Sequence, residues 1–274
     1  MLKNYRGRFP FKLATTSYIY PDEIVPNVVR LGPFFDEIEL VLFESERPDS
    51  IPDPIQIDHL IKLSKLHQLG FNIHLPLDIS LGDECDDVRT HGISVMKTVI
   101  ERTLPLNPSL YTLHLDFINP PIPSLLRKEE GGFAHGKDVE AWRRRVSRSL
   151  NEILNDGIEA NRISIETLAY PFEWIEDTVN QFKFSICLDI GHILTRGYDL
   201  GHYLTSYLPR TSIVHLHGFH KDSDHLGIEK LPESDLDLIL CALRHYHGIV
   251  SIEVFSINEL KSSLSVLEEK WIKG

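Results

Sequence analysis

The feature that most constrains this chain is a β-then-α rhythm running along nearly all of its length. Eight short runs rich in β-formers, at 11–17, 36–43, 71–77, 110–117, 162–168, 184–190, 212–219 and 248–255, alternate with segments of helical pattern. Several runs, such as "FSICLDI" and "GIVSIEVF", are nearly continuous in apolar residues. That pattern suits parallel strands covered on both faces. Between them, Ile57, Leu60, Ile61, Leu63 and Leu66 form a stripe over 57–69. Val139, Trp142, Val146, Leu150, Ile153 and Leu154 form another over 138–154. Steps of three and four place such residues on one helix face. Ser234 and Asn258 are the expected N-caps of the last two helices. The alternation predicts an α/β fold, a single (β/α)8 TIM barrel occupying 1–274 as one domain. One connection stands apart: residues 118–137 carry three prolines and three glycines and no clear period. Following the fourth strand, they are expected to form a long loop on the active face.

Charge and composition narrow the function. The net charge is −12, against the cationic surface that binding to a nucleic acid backbone requires. The basic run Arg143–Arg145 with Arg148 falls on a predicted helix and reads as a solvated face. No apolar run approaches the roughly 18 residues of a membrane span. The N-terminal segment has no apolar stretch of the signal-peptide kind. Cys85, Cys187 and Cys241 are odd in number and far apart, so free thiols in a reducing cytoplasm are expected. Oligomeric state is not legible here.

Six of the predicted strands end in an imidazole or carboxylate. They offer His74, His114 with Asp116, Glu166, Asp189 followed by Gly191 and His192, His215 with His217, and Glu253. Strand side chains alternate, so His215 and His217 share a face, as do His114 and Asp116. A charge inside an apolar run is costly unless paired or bound to a cation. Six such placements at one barrel end therefore predict a metal site. Mixed imidazole and carboxylate donors suit Zn, Mn, Fe or Co, while the absence of cysteine among them argues against a structural zinc site. Cys187, two residues before Asp189, reads as barrel packing. Either His215 or His217 qualifies as the seventh-strand ligand.

These residues resemble the xylose isomerase-like barrel superfamily of sugar epimerases, sugar isomerases and AP-endonuclease-type phosphodiesterases. The resemblance implies four metal ligands from the last four strands: Glu166, Asp189, a histidine of "HLH" and Glu253. It also implies an Asp-x-x-His motif, here "DIGH", whose His192 binds substrate or a further metal. His74 and His114 stand where the endonuclease-like branch adds ligands for a cluster of up to three metals. That branch also has an Asp-x-His pair after the seventh strand. Asp222, Asp224 and His225 offer the same residue types at a different spacing. The stretch at 15–44, "TTSYIYPDEIVPNVVRLGPFFDEIELVLFE", is similar to the start of the cobamide-remodelling phosphodiesterases. They hydrolyse the nucleotide-loop phosphodiester of cobamides to cobinamide phosphate and the lower-ligand riboside.

The resemblance thus implies a hydrolase with one to three divalent metals per chain and a small-molecule corrinoid substrate. Glu166, Glu253 and His192 are the expected catalytic residues. His192, Asp224, His225 and Lys221 are expected to contact substrate. Tyr18 and Tyr20, in the first strand-to-helix loop, are expected to pack on a flat ring. The alternatives are a one-metal sugar isomerase or epimerase using Glu166 and Glu253 as acid and base, and a corrinoid- or sugar-binding barrel without catalysis.

Overall fold

The computed structural model describes residues 2–45, 50–117, 136–154, 158–221 and 223–273. Eight parallel strands close a barrel: β1 (Lys12–Thr16), β2 (Glu37–Val41), β3 (Gly70–His74), β4 (Tyr111–Leu113), β5 (Ile163–Glu166), β6 (Ser185–Asp189), β7 (Thr211–Leu216) and β10 (Ile249–Ile252). Between β7 and β10 lies an antiparallel hairpin, β8 (Gly218–His220) and β9 (Ser223–Leu226). Helices α1 (Ile24–Leu31), α2 (Pro54–His67), α3 (Asp86–Thr103), α4 (Gly136–Leu154), α5 (Glu173–Phe182), α8 (Glu233–Leu243) and α9 (Ile257–Lys273) follow successive strands. Two short helices, α6 (Ile190–Thr195) and α7 (Leu200–Ser206), share the β6–β7 connection. Among the described residues, no helix is long and apolar enough to cross a membrane.

Alternation along the strands sets the layers. Ile38, Leu40, Ile73, Ile165, Leu188, Val214 and Ile252 are fully buried in the core they share with the helices. The opposite positions fill the barrel. Ala14, Leu110, Cys187, Ile213 and Ile249 form a separate small apolar cluster. Two residues further along each chain stand Thr16, Thr112, Asp189, His215 and Ser251, all without solvent exposure. One interior layer is therefore apolar and the next polar, and the polar layer lies at the C-terminal ends of the strands.

The observed elements correct several expectations. β4 ends at Leu113 and β10 at Ile252, so His114 and Glu253 stand just past strand ends. The seventh strand stops at Leu216, and what reads as strand followed by loop is the β8–β9 hairpin. Its register pairs His220 with Ser223, and Lys221 in the turn has φ of +55°. Ser234 does not cap α8, which starts at Glu233 with Pro232 before it. Asn258 is likewise inside α9, where the Ser256 hydroxyl accepts the Glu259 N–H at 3.2 Å. The basic run does lie on a solvated helix face, with surface ion pairs from Arg143 to Asp177 at 3.2 Å and from Arg144 to Glu140 at 3.6 Å. Cys85, Cys187 and Cys241 are free. Residues 118–135, most of the expected active-face loop, lie outside the described residues.

The β1–α1 loop is shaped by one buried amide. Asn27 accepts the Tyr20 N–H at 2.8 Å and donates to the carbonyls of Tyr20, Asp22 and Glu23 at 3.0–3.1 Å. Asn27→Ala strands these groups in a buried place, so a loss of about 1–3 kcal/mol is expected, read as a lowered urea midpoint with unchanged slope.

Candidate metal centre

Glu166, at the end of β5, is the hub of the polar layer. Its Oε2 lies 3.1 Å from His74 Nε2 and 2.9 Å from His114 Nε2. His74 Nδ1 lies 2.9 Å from the Leu75 carbonyl, which can only accept, so Nδ1 carries a proton. In the neutral ring Nε2 then presents a lone pair to a carboxylate. A second proton or a cation resolves that conflict.

His215 poses the same problem more sharply. Its Nε2 donates to buried Glu39 at 2.9 Å, and the Ser251 hydroxyl donates to the other Glu39 oxygen at 2.6 Å. Nδ1 then faces Glu253 Oε2 at 3.1 Å, Glu166 Oε1 at 3.6 Å and Asp189 Oδ2 at 3.8 Å. Although close, His215 Nδ1 and Glu253 Oε2 are not aligned for a hydrogen bond, and both are buried with no such partner. Bonds of ~2.1 Å to one tetrahedral ion would put its donors ~3.4 Å apart. The observed separations bracket that value, so the residues fit a divalent cation. Donor atoms of Glu166, Asp189, His215 and Glu253 all lie within 4.8 Å of one another, as do those of His74, His114 and Glu166.

A third group, His192, His217 and His225, adjoins the first two. His217 Nε2 lies 3.3 Å from Asp189, and its ring stacks on His225 with centroids 4.3 Å apart. Gly191 makes room for it: a Cβ there would stand 2.0 Å from His217 Cε1. His225 has φ of +52°, a strained conformation for a residue with a side chain. Its N–H points at His217 Nδ1 at 3.0 Å, and its own Nδ1 lies 2.9 Å from Asp224. The His192 N–H donates to Asp189 Oδ1 at 2.6 Å, while its Nδ1 is 3.1 Å from the Thr167 carbonyl. Both His215 and His217 point inward, each into a different candidate group. Cys187 packs in the small apolar cluster as expected, and its sulfur also falls within 4.8 Å of Glu166 and His215 donor atoms.

Charges here are strongly coupled. Burial lowers the His74 pKa most, but the hydrogen bond and charge of Glu166 outweigh it and raise the value to about 9. Burial likewise opposes protonation of His217, yet Asp189 brings it to about 9. Burial works against ionised Glu166 and Glu253 too, and the facing histidines still hold both below the usual carboxylate range. Burial pushes Asp116 up.

Outside the cluster, a cleft of about 490 Å³ is lined by His114, Asp116, His192, Arg196, Lys221 and Asp224, among others. Tyr18 begins a row of rings: Tyr18 to Phe43 at 5.0 Å, Phe43 to Phe255 at 5.6 Å, Phe255 to His225 at 5.2 Å. Tyr20 does not join it. Asn27 folds that loop onto α1, and the ring lies under the Arg30 guanidinium at 4.8 Å. Asp222 lies outside the described residues. Sequence reasoning missed Glu39, Phe43, Phe255 and Arg196. Glu39 carried the same signal as the others, a charge inside the apolar run "DEIELVLF".

The profile of the Xylose isomerase-like TIM barrel family matches residues 25–270. No curated protein sequence matches the chain. Among solved structures, a D-tagatose 3-epimerase-like protein superposes with TM-score 0.75 at 20% identity, covering 96% of this chain and 98% of its own. Endonuclease IV from Thermus thermophilus gives 0.69 at 15% identity, covering 96% and 100%. The IOLI protein with a binding zinc atom gives 0.66 at 15%, covering 96% of each. At these identities the likeness is one of fold.

Protonation of the metal-free cluster fixes the sign of its pH dependence. The folded-state pKa of His74 and His217, about 9 against 6.5, contributes stability in full below 6.5 and loses it as pH rises through 9. The depressed Glu166 and Glu253 contribute above their ordinary 4.5 and lose it in acid. The Tm of EDTA-treated protein is expected to fall between pH 7 and 9.5, and saturating Zn²⁺ to remove most of that fall by replacing the protons. A flat or rising Tm without metal would contradict the geometry.

Proposed function

We infer, for a chain that belongs to the xylose isomerase-like TIM barrel family, a metal-dependent phosphodiesterase that hydrolyses the nucleotide-loop phosphodiester of cobamides. The observation that carries this reading is that the candidate ligands form five overlapping groups rather than one, with Glu166 common to three of them. One group suffices for an isomerase or epimerase. Such an enzyme would use Glu166, Asp189, His215 and Glu253, with Glu166 and Glu253 as acid and base. His74, His114, His217 and His225 would then be left to support the site or contact substrate. In-line displacement at phosphorus suits several ions, because the attacking, leaving and non-bridging oxygens all carry charge. Proteins of similar fold include both chemistries, an epimerase-like protein and an endonuclease.

In this reading Zn, Mn, Fe or Co would be held by Glu166, Asp189, His215 and Glu253 and by His74, His114 and Glu166, with His217 beside Asp189. Bound metal supplies Lewis acidity and a lowered pKa for water. The chain's own residues set the geometry. Glu39 keeps His215 in the tautomer whose Nδ1 faces the carboxylates, and the Leu75 carbonyl does the same for His74 Nε2. Glu253 and Glu166 flank the attacking water and orient it. His192, at the cleft wall, contacts the phosphate. Water supplies the new oxygen on phosphorus, the bond from phosphorus to the ribose oxygen breaks, and the ribose oxygen takes up a proton. Products are cobinamide phosphate and the lower-ligand riboside. The half-buried row Tyr18, Phe43 and Phe255 offers rings to a large amphipathic substrate. The net charge of −12 supports a small diester over nucleic acid. Three free thiols support a cytoplasmic setting.

Incubation with cobalamin and Mn²⁺, Zn²⁺, Fe²⁺ or Co²⁺ is expected to yield cobinamide phosphate. Glu166→Gln is expected to cut turnover by about a hundredfold or more while the barrel stays folded. No cleavage with any of the four ions, or full activity in Glu166→Gln, would overturn the reading.

A further inference from the structure

The cleft over the metal centre is lined by two cations as well as two carboxylates in a chain that is acidic overall. Arg196 and Lys221, both exposed, line it together with His114 and His192. Among the described residues, neither cation makes an ion pair. Of the two carboxylates in the lining, Asp224 is taken up by His225 at 2.9 Å, and Asp116 is half-buried two residues beyond His114. A protein with 40 acidic and 28 basic residues thus keeps, among the described residues, two cations without an ion pair at the mouth of this site.

Their backbones are held. Arg196 ends α6, one turn after His192, and its N–H donates to the His192 carbonyl at 3.2 Å. Lys221 occupies the β8–β9 turn with φ of +55°. The two therefore approach the cleft from different elements, one attached to the β6 end and one to the hairpin that also presents His225.

We propose that Arg196 and Lys221 form an anion clamp that binds the non-bridging oxygens of a phosphate ester above the metal centre. The proposal rests on the phosphodiesterase reading and names what selects the substrate within it. Arg matches two phosphate oxygens at once, and Lys acts as a point charge. A neutral sugar would leave both cations without a partner. A long polyanion would meet a chain of net charge −12, so the clamp suits one small anionic group.

The test uses the metal-loaded full chain and inorganic phosphate as the probe, titrated calorimetrically at fixed ionic strength. Arg196→Gln and Lys221→Gln are each expected to weaken phosphate binding about tenfold, and the double variant about a hundredfold. Metal content and Tm are expected to stay at wild-type values, and Arg196→Lys to recover part of the loss. In cobalamin cleavage the same variants raise KM more than they lower kcat. Unchanged phosphate affinity in a folded, metal-replete double variant would overturn the clamp, even if cleavage persists. Weakened phosphate binding in a protein that cleaves no phosphodiester would support the clamp and overturn only the assigned reaction.

Discussion

The structure depends on a conflict of charge inside the barrel. Glu39, Glu166, Asp189 and Glu253 are all buried, and they surround His215. Taking carboxylates out of water is costly, and placing them together adds repulsion. Without a cation, the cluster must hold extra protons on its histidines, as the raised pKa values of His74 and His217 express. A divalent ion would replace those protons and would give the orphaned His215 Nδ1 and Glu253 Oε2 a partner. The apolar layer beneath, from Ala14 to Ile249, keeps this charge at one end of the barrel.

Holding the conflict in place takes backbone as well as side chains. Gly191 lets His217 lie against the β6–α6 turn. The hairpin brings His225 over His217 at the cost of a left-handed backbone, a strain of order 1–3 kcal/mol. Phe255 and Phe43 then brace His225 from the side of Tyr18. The same hairpin carries Lys221 at its turn, so one insertion after β7 serves both the cluster and the cleft mouth.

The barrel and its ligand ends were legible because both signals are periodic. Alternation marks the strands, and Glu166 in "ISIETL" or Asp189 in "SICLDI" is conspicuous against an apolar run. Glu39 was equally conspicuous but lies mid-strand, away from the ends where the other ligands gather. The hairpin was hidden because "HLHGFHKDSDH" has no hydrophobic alternation, and its turn rests on local backbone geometry at Lys221. Tyr20 stands apart from the row of rings because Asn27 folds its loop onto α1, which nothing in the sequence reveals. Arg196 gave no signal, since an exposed arginine after a short helix resembles any other.

The central claim is that Glu166 is shared between two ions. Anomalous scattering from crystals of the metal-loaded protein tests it most directly. The account predicts one peak among Glu166, Asp189, His215 and Glu253, and a second among His74, His114 and Glu166. A single peak in the first group, with His74 and His114 free of metal at saturating ion, would contradict it and favour one-metal chemistry.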